Sequence, residues 1–89
     1  NSLHNIKCLK LSKNYLYSLE SVTFRSLSNL EELWLDGNSL NFIDLLLFKG
    51  LYNLKYLNLS FNQLSILDQF IFKDLAHLEQ AELNNNKLS

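Results

Sequence analysis

Apolar residues recur along this chain in a fixed phrase: apolar, two variable, apolar, one variable, apolar, two variable, Asn, one variable, Leu. The phrase opens at Ile6, Leu30, Leu54 and Leu78 and runs through Leu9, Leu33, Leu57 and Ala81, then Leu11, Leu35, Leu59 and Leu83. It closes at Leu16, Leu40, Leu64 and Leu88, and Asn14, Asn38, Asn62 and Asn86 hold its polar column. Behind it, Leu19, Ile43 and Leu67 form one column, Phe24, Phe48 and Phe72 a second, and Leu3, Leu27, Leu51 and Leu75 a third. The period is 24 residues in every column.

A unit this short cannot bury its apolar side alone, so a fixed period of this length predicts copies that stack and cover one another. The repeats run 6–29, 30–53, 54–77 and a partial 78–89, with 1–5 matching the tail of a preceding unit. Ordinary core positions at both ends, with no polar outer face to shield them, predict an internal fragment of a longer array without caps. On that expectation residues 1–89 alone are marginal or self-associating, which a sharp, concentration-independent melt would rule out.

The alternating stretches, such as Leu33, Trp34, Leu35 and Leu57, Asn58, Leu59, predict short strands that pair in parallel into one curved sheet. With only Gly37 and Gly50 and no proline, the turns after the strands fall to the Asn column. A buried amide has donors and an acceptor for the turn's backbone and for the next rung. The descending segments are expected to be irregular or to form short helical turns, with Phe24, Phe48 and Phe72 as core. Phe42 and Ile66, and Val22, Leu46 and Phe70, are expected to fill core, with a dimerisation flank as the alternative.

Charge supports stacking. Lys7, Glu31, Lys55 and Glu79 alternate in sign along one column, and neighbouring rungs lie about 4.8 Å apart. Glu20, Asp44, Asp68 and Arg25, Lys49, Lys73 are each of one sign, so relief is expected from pairing between these two columns.

The 89 residues make one domain with a formal net charge of −1, and the interspersed charges give no footprint for nucleic acid. No window reaches the roughly 18 apolar residues of a membrane span. Cys8, the lone cysteine, is either a small side chain on the sheet or half of a bridge to a segment outside the chain. His4, His77 and Cys8 form no nucleophile motif, and no glycine-rich phosphate loop or clustered metal ligands occur, so no catalytic, metal or cofactor site is expected.

These columns, LxxLxLxxNxL with a trailing Phe eight residues after the closing Leu, resemble the typical 24-residue leucine-rich repeat over the whole chain. The resemblance implies an α/β solenoid, a right-handed superhelix with a parallel sheet on its concave face and irregular or short helical convex segments. The Phe-spine form is similar to ectodomains of Toll-like receptors, variable lymphocyte receptors, neuronal adhesion receptors and small leucine-rich proteoglycans. It therefore implies an extracellular or cell-surface protein with a protein ligand, in innate immunity or cell adhesion. A matrix or structural scaffold without signalling is the alternative, and an intracellular scaffold a third reading. The cysteine caps that separate these families are absent, as is the Pro often found early in the descending segment.

Strand-centre variable positions face the concave side. Trp34 and Tyr56, with Phe61 just beyond, form the expected anchor, and Lys10, Glu32, Asn58 and Glu82 surround it. Trp and Tyr dominate binding hot spots. Homodimer or repeat-to-repeat association is a further expected mode. Asn58-Leu59-Ser60 is an N-glycosylation sequon on the same strand, where a glycan would obstruct the anchor.

Overall fold

The computed structural model describes residues 5–88. The expected tail of a preceding unit, with Leu3 and His4, therefore lies outside the described residues except for Asn5. Four short strands, β1 Cys8–Lys10, β2 Glu32–Trp34, β3 Tyr56–Asn58 and β4 Gln80–Glu82, make one sheet in the order β1-β2-β3-β4. All pairs are parallel, and each residue faces its equivalent one period away, Leu9 on Leu33, Leu33 on Leu57 and Leu57 on Ala81. Backbone bonds extend the ladder past each strand, with the Leu11, Leu35 and Leu59 N–H groups donating to the Trp34, Asn58 and Glu82 carbonyls at 2.8 Å.

The leucine columns fill the space behind the sheet. Leu30, Leu33, Leu35, Leu40, Leu54, Leu57, Leu59 and Leu64 are wholly buried. Ile6, Leu9, Leu11 and Leu16, and Leu78 and Leu83, are only partly so. A repeat with neighbours on both sides loses both its faces to contact, and a repeat with one neighbour loses one, so burial peaks in the middle of the stack.

The descending segments take the second of the two expected forms, short helical turns. In three successive repeats the same i→i−3 backbone bonds recur: Leu27 to Phe24 and Leu30 to Leu27, Leu51 to Phe48 and Leu54 to Leu51, Leu75 to Phe72 and Leu78 to Leu75, at 3.0–3.2 Å. Successive turns of this type carry about three residues each, so side chains three apart line up on one face. That is the spacing of Phe48, Leu51 and Leu54. The third copy closes into a 3-10 helix, Gln69–Phe72, whose N-cap Asp68 accepts from the Phe70 N–H. Phe24 and Phe48 are buried to 1%, whereas Phe72 is half-buried.

Two expectations about this side are corrected. Val22, Leu46, Phe70, Phe42 and Ile66 are not core fill, being 50–79% exposed. Their place is taken by Leu47 and Ile71, which share a column with Thr23 and are buried. Nor do the two one-sign columns relieve each other: Lys55 to Glu31, at 3.8 Å, is the ion pair among the described residues. Both of its side chains are substantially exposed, so its contribution is about 0–1 kcal/mol.

The turn after each strand relies on more than Asn. Lys13, Gly37, Phe61 and Asn85, one period apart and each just before the Asn column, all have left-handed φ, between 57° and 69°. Gly37 and Asn85 adopt this readily, whereas Lys13 and Phe61 carry a steric cost of about 1–2 kcal/mol. Phe61→Asn, which copies the solution at Asn85 and removes a side chain that is 58% exposed, is therefore expected to raise stability by about 1 kcal/mol in a urea titration.

The Asn side chains work backwards along the stack. Asn62 Nδ2 donates to the carbonyls of Leu35 in the preceding repeat and of Leu59 in its own at 3.0 Å, while its Oδ1 accepts from the Leu40 N–H. Asn38 treats Leu11, Leu35 and the Leu16 N–H in the same way, and Asn86 treats Leu59, Leu83 and the Leu64 N–H. The bonds thus reach the preceding rung, not the following one. Asn38 and Asn62 are buried, Asn86 is half-buried, and Asn14 is exposed, donating to the Ser12 carbonyl.

Candidate recognition surface

Alternation along each three-residue strand sends the central Leu or Ala inward and both flanking side chains to the open face. On that face the parallel register sets Lys10 against Trp34 and Trp34 against Asn58, with Cys8, Glu32, Tyr56 and Gln80 in the adjacent row. Lys10 Nζ lies 5.1 Å from the Trp34 ring centroid. Trp34 meets Tyr56 diagonally, with centroids 4.9 Å apart and planes inclined by 48°. A cation over one ring and a tilted ring pair contribute about 0.5–1 and 0.5–1.5 kcal/mol respectively.

Carboxylates orient this row. Glu32 Oε1 accepts from Trp34 Nε1 at 3.2 Å and from the exposed Cys8 thiol at 3.8 Å. Glu82 is bonded to Gln80. Burial raises the Tyr56 pKa, and the nearby Glu82 carboxylate adds to the rise; a hydrogen bond with Asn58 opposes it, and Asp36 and Glu32 push it further up. Tyr56 therefore stays a neutral hydroxyl donor across physiological pH. A shallow cleft of about 220 Å³ opens beside it, lined by Glu31, Glu32, Lys55, Tyr56, Glu79 and Gln80.

Six of the residues expected at the site, Lys10, Glu32, Trp34, Tyr56, Asn58 and Glu82, thus lie together on the open face of four adjacent strands. Phe61 does not join them. Its left-handed backbone places it in the turn beyond β3, and among the described residues the ring pair is Trp34 with Tyr56 alone. Two cross-strand tethers at the rim carried only a faint sequence signal, the alternation Ser12, Asp36, Ser60, Asn84. The Ser12 hydroxyl donates to Asp36 at 2.5 Å and the buried Ser60 hydroxyl to Asn84 at 2.8 Å. In the sequon, Asn58 Oδ1 accepts from the Ser60 N–H at 3.0 Å.

The chain belongs to the leucine-rich repeat family, whose profile matches residues 28–88. Domains of this family are generally non-enzymatic protein-binding scaffolds. No curated protein matches the chain. Among solved structures it is similar to Toll in the Toll–Spatzle complex of Drosophila, with 33% identity and a TM-score of 0.92, over 96% of this chain and 11% of that one. It shares its fold with the leucine-rich repeat domain of APL1B, at 24% identity and a TM-score of 0.91, over 99% of this chain and 27% of that one. FLRT2 in an octameric complex with Latrophilin 3 and Unc5D matches less closely, at 24% identity and a TM-score of 0.52, over 90% of this chain and 39% of that one. The chain thus spans well under half the length of each of these proteins. No helix among the described residues is long and apolar enough to cross a membrane.

Proposed function

We propose that the chain is part of an extracellular recognition receptor, acting in innate immunity or cell adhesion, and that it holds a protein ligand on the concave sheet face. The observation that carries this reading is the stack of Lys10, Trp34 and Tyr56 across three adjacent strands. Aromatic side chains held by neighbours rather than by burial are pre-organised for a partner and lose little freedom on binding. The likeness to Toll, solved with its partner Spatzle, supports the same reading.

Trp34 and Tyr56 form the anchor, Lys10 and Glu32 fix its geometry, and Asn58 and Glu82 extend it over β3 and β4. Phe61 is a separate contact at the edge. The anchor is available only while Asn58 carries no glycan, because its register partner is Trp34.

The test is a binding screen of the full-length protein against secreted proteins, with the Trp34→Ala, Tyr56→Ala double variant alongside. Loss of two hot-spot side chains is expected to weaken the captured ligand by roughly 30-fold or more. Both rings are outside the core, so the variant should still melt cooperatively by circular dichroism, at a temperature lowered by a few degrees for the lost ring and cation contacts. A variant that is folded and binds as the parent does would move recognition to another face.

A further inference from the structure

On the opposite side of the solenoid, between the second and third repeats, a cleft of about 300 Å³ is lined by Leu45, Leu46, Lys49, Phe70, Ile71 and Lys73, with Asp74 at one edge. Its floor is the buried Ile71, and its walls are Leu45, Leu46 and Phe70, which are 50–64% exposed. The walls are fixed in place: Asp44 Oδ1 accepts from the Leu46 N–H at 2.8 Å and Asp68 Oδ1 from the Phe70 N–H at 2.9 Å. The first repeat has neither feature. Val22 replaces the larger wall residue, and at Glu20 the backbone carbonyl, not the side chain, receives the Thr23 bonds.

Two properties of this cleft are unexplained by folding. Large apolar side chains are left in solvent where Leu47 and Ile71 already fill the core. Lys49 and Lys73, one period apart on its rim, have no ion-pair partner among the described residues. A partner that desolvates the walls must also meet those two ammonium groups, so complementarity of charge defines it.

We infer that this cleft is a second docking site, taking an acidic amphipathic segment of a partner protein. An apolar side chain of that segment enters between Leu46 and Phe70, and its carboxylates reach Lys49 and Lys73. The concavity suits an inserted side chain better than a flat bilayer, and the Asp44 and Asp68 carboxylates are turned to the Leu46 and Phe70 N–H groups, which leaves Lys49 and Lys73 as the positive charges an inserted segment meets. A second copy docked about a two-fold axis through the cleft would set Lys49 and Lys73 against the same residues of its mate.

The experiment measures fluorescence anisotropy of a labelled synthetic peptide in which Leu and Phe alternate with Asp and Glu, titrated with the full-length protein. A matched peptide with Lys in place of the acids, and phosphatidylcholine vesicles containing phosphatidylserine, are run in parallel. The acidic peptide should bind, more tightly at low salt. Lys49→Glu with Lys73→Glu should weaken it roughly ten-fold or more, and Leu46→Ser should also weaken it. All three positions are exposed, and an unchanged melt shows that the variants remain folded.

The inference is overturned if the charge reversal leaves binding intact or if no peptide binds. It is equally overturned if the Lys peptide or the vesicles bind as well as the acidic peptide. Self-association that Leu46→Ser abolishes would assign the cleft to a second copy instead. Trp34→Ala should leave peptide binding unchanged, which separates this site from the concave face.

Discussion

Asn62→Asp is expected to lower stability by about 3 kcal/mol or more at neutral pH, although it changes one atom and adds no bulk. Asn62 is 3% exposed, and its Nδ2 faces the carbonyls of Leu35, Leu59 and Ser60 at 3.0–3.2 Å. A carboxylate there would turn a second acceptor towards those acceptors, inside a site with little access to water. The Leu40 N–H, which donates to Oδ1, would keep its partner, so the loss falls on the carbonyl side. Each unsatisfied buried group costs about 1–3 kcal/mol, and the buried charge adds to this.

The loss should depend on pH. Burial and the facing carbonyls hold the introduced carboxyl's folded-state pKa above its unfolded value near 3.9. A group raised in this way contributes its full stability below the unfolded pKa and loses it as pH rises through the folded one. The deficit relative to the parent, measured by urea titration at a series of pH values, should therefore shrink as pH falls towards 4. Asn14→Asp is the control: Asn14 is exposed and, among the described residues, its side chain donates to the Ser12 carbonyl, so its deficit should be under about 1 kcal/mol. Equal deficits at Asn14 and Asn62 would show that the ladder's strength does not come from burial.

The same contrast shows where the sequence was legible and where it was not. A sheet with one face buried fixes its own register, because slipping Leu33 by one residue would turn the core to solvent, and this made the pairing of β1 to β4 readable from spacing alone. The open face followed from alternation, so the neighbourhood of Trp34 and Tyr56 could be inferred before their contact was seen.

The descending segments carry no such rule. Leu46 and Leu47 are adjacent and equally apolar, yet Leu47 is buried and Leu46 is half exposed. The choice depends on the phase of a few i→i−3 turns that a short loop does not announce. The period-three row of Phe48, Leu51 and Leu54 was present in the sequence, but a segment of a few turns gives little to count.

The left-handed column was masked for a different reason. Gly37 and Asn85 are typical occupants, but Lys13 and Phe61 are not, so composition concealed a backbone requirement that geometry makes plain. That requirement also set Phe61 apart from the aromatic stack, because its left-handed φ breaks the strand alternation that places Trp34 and Tyr56 on the open face. The direction of the Asn bonds was likewise hidden, since a column of identical residues looks the same read forwards or backwards.

The other large effect is expected at the Phe spine, and its size should follow position in the stack. Phe48→Ala should cost about 3–5 kcal/mol, the range for removing a buried aromatic side chain and leaving a cavity. Phe48 is 1% exposed and heads the row continued by the wholly buried Leu51 and Leu54, so its neighbours are already packed and have little room to collapse. Phe72→Ala should cost clearly less, because Phe72 is half-buried and part of its surface meets water before the substitution. Phe48→Leu should recover much of the loss by restoring apolar volume. Domains of this size are stable by only about 5–15 kcal/mol, so the Phe48→Ala loss is a large fraction of the whole. Urea titrations of the three variants decide the matter. Equal costs at Phe48 and Phe72 would mean that the repeats do not behave as a stack of nearest neighbours. The expected gradient would mean that each Phe is worth the burial its neighbouring repeats give it, and Trp34 and Tyr56 stand on the two repeats whose strand leucines are wholly buried.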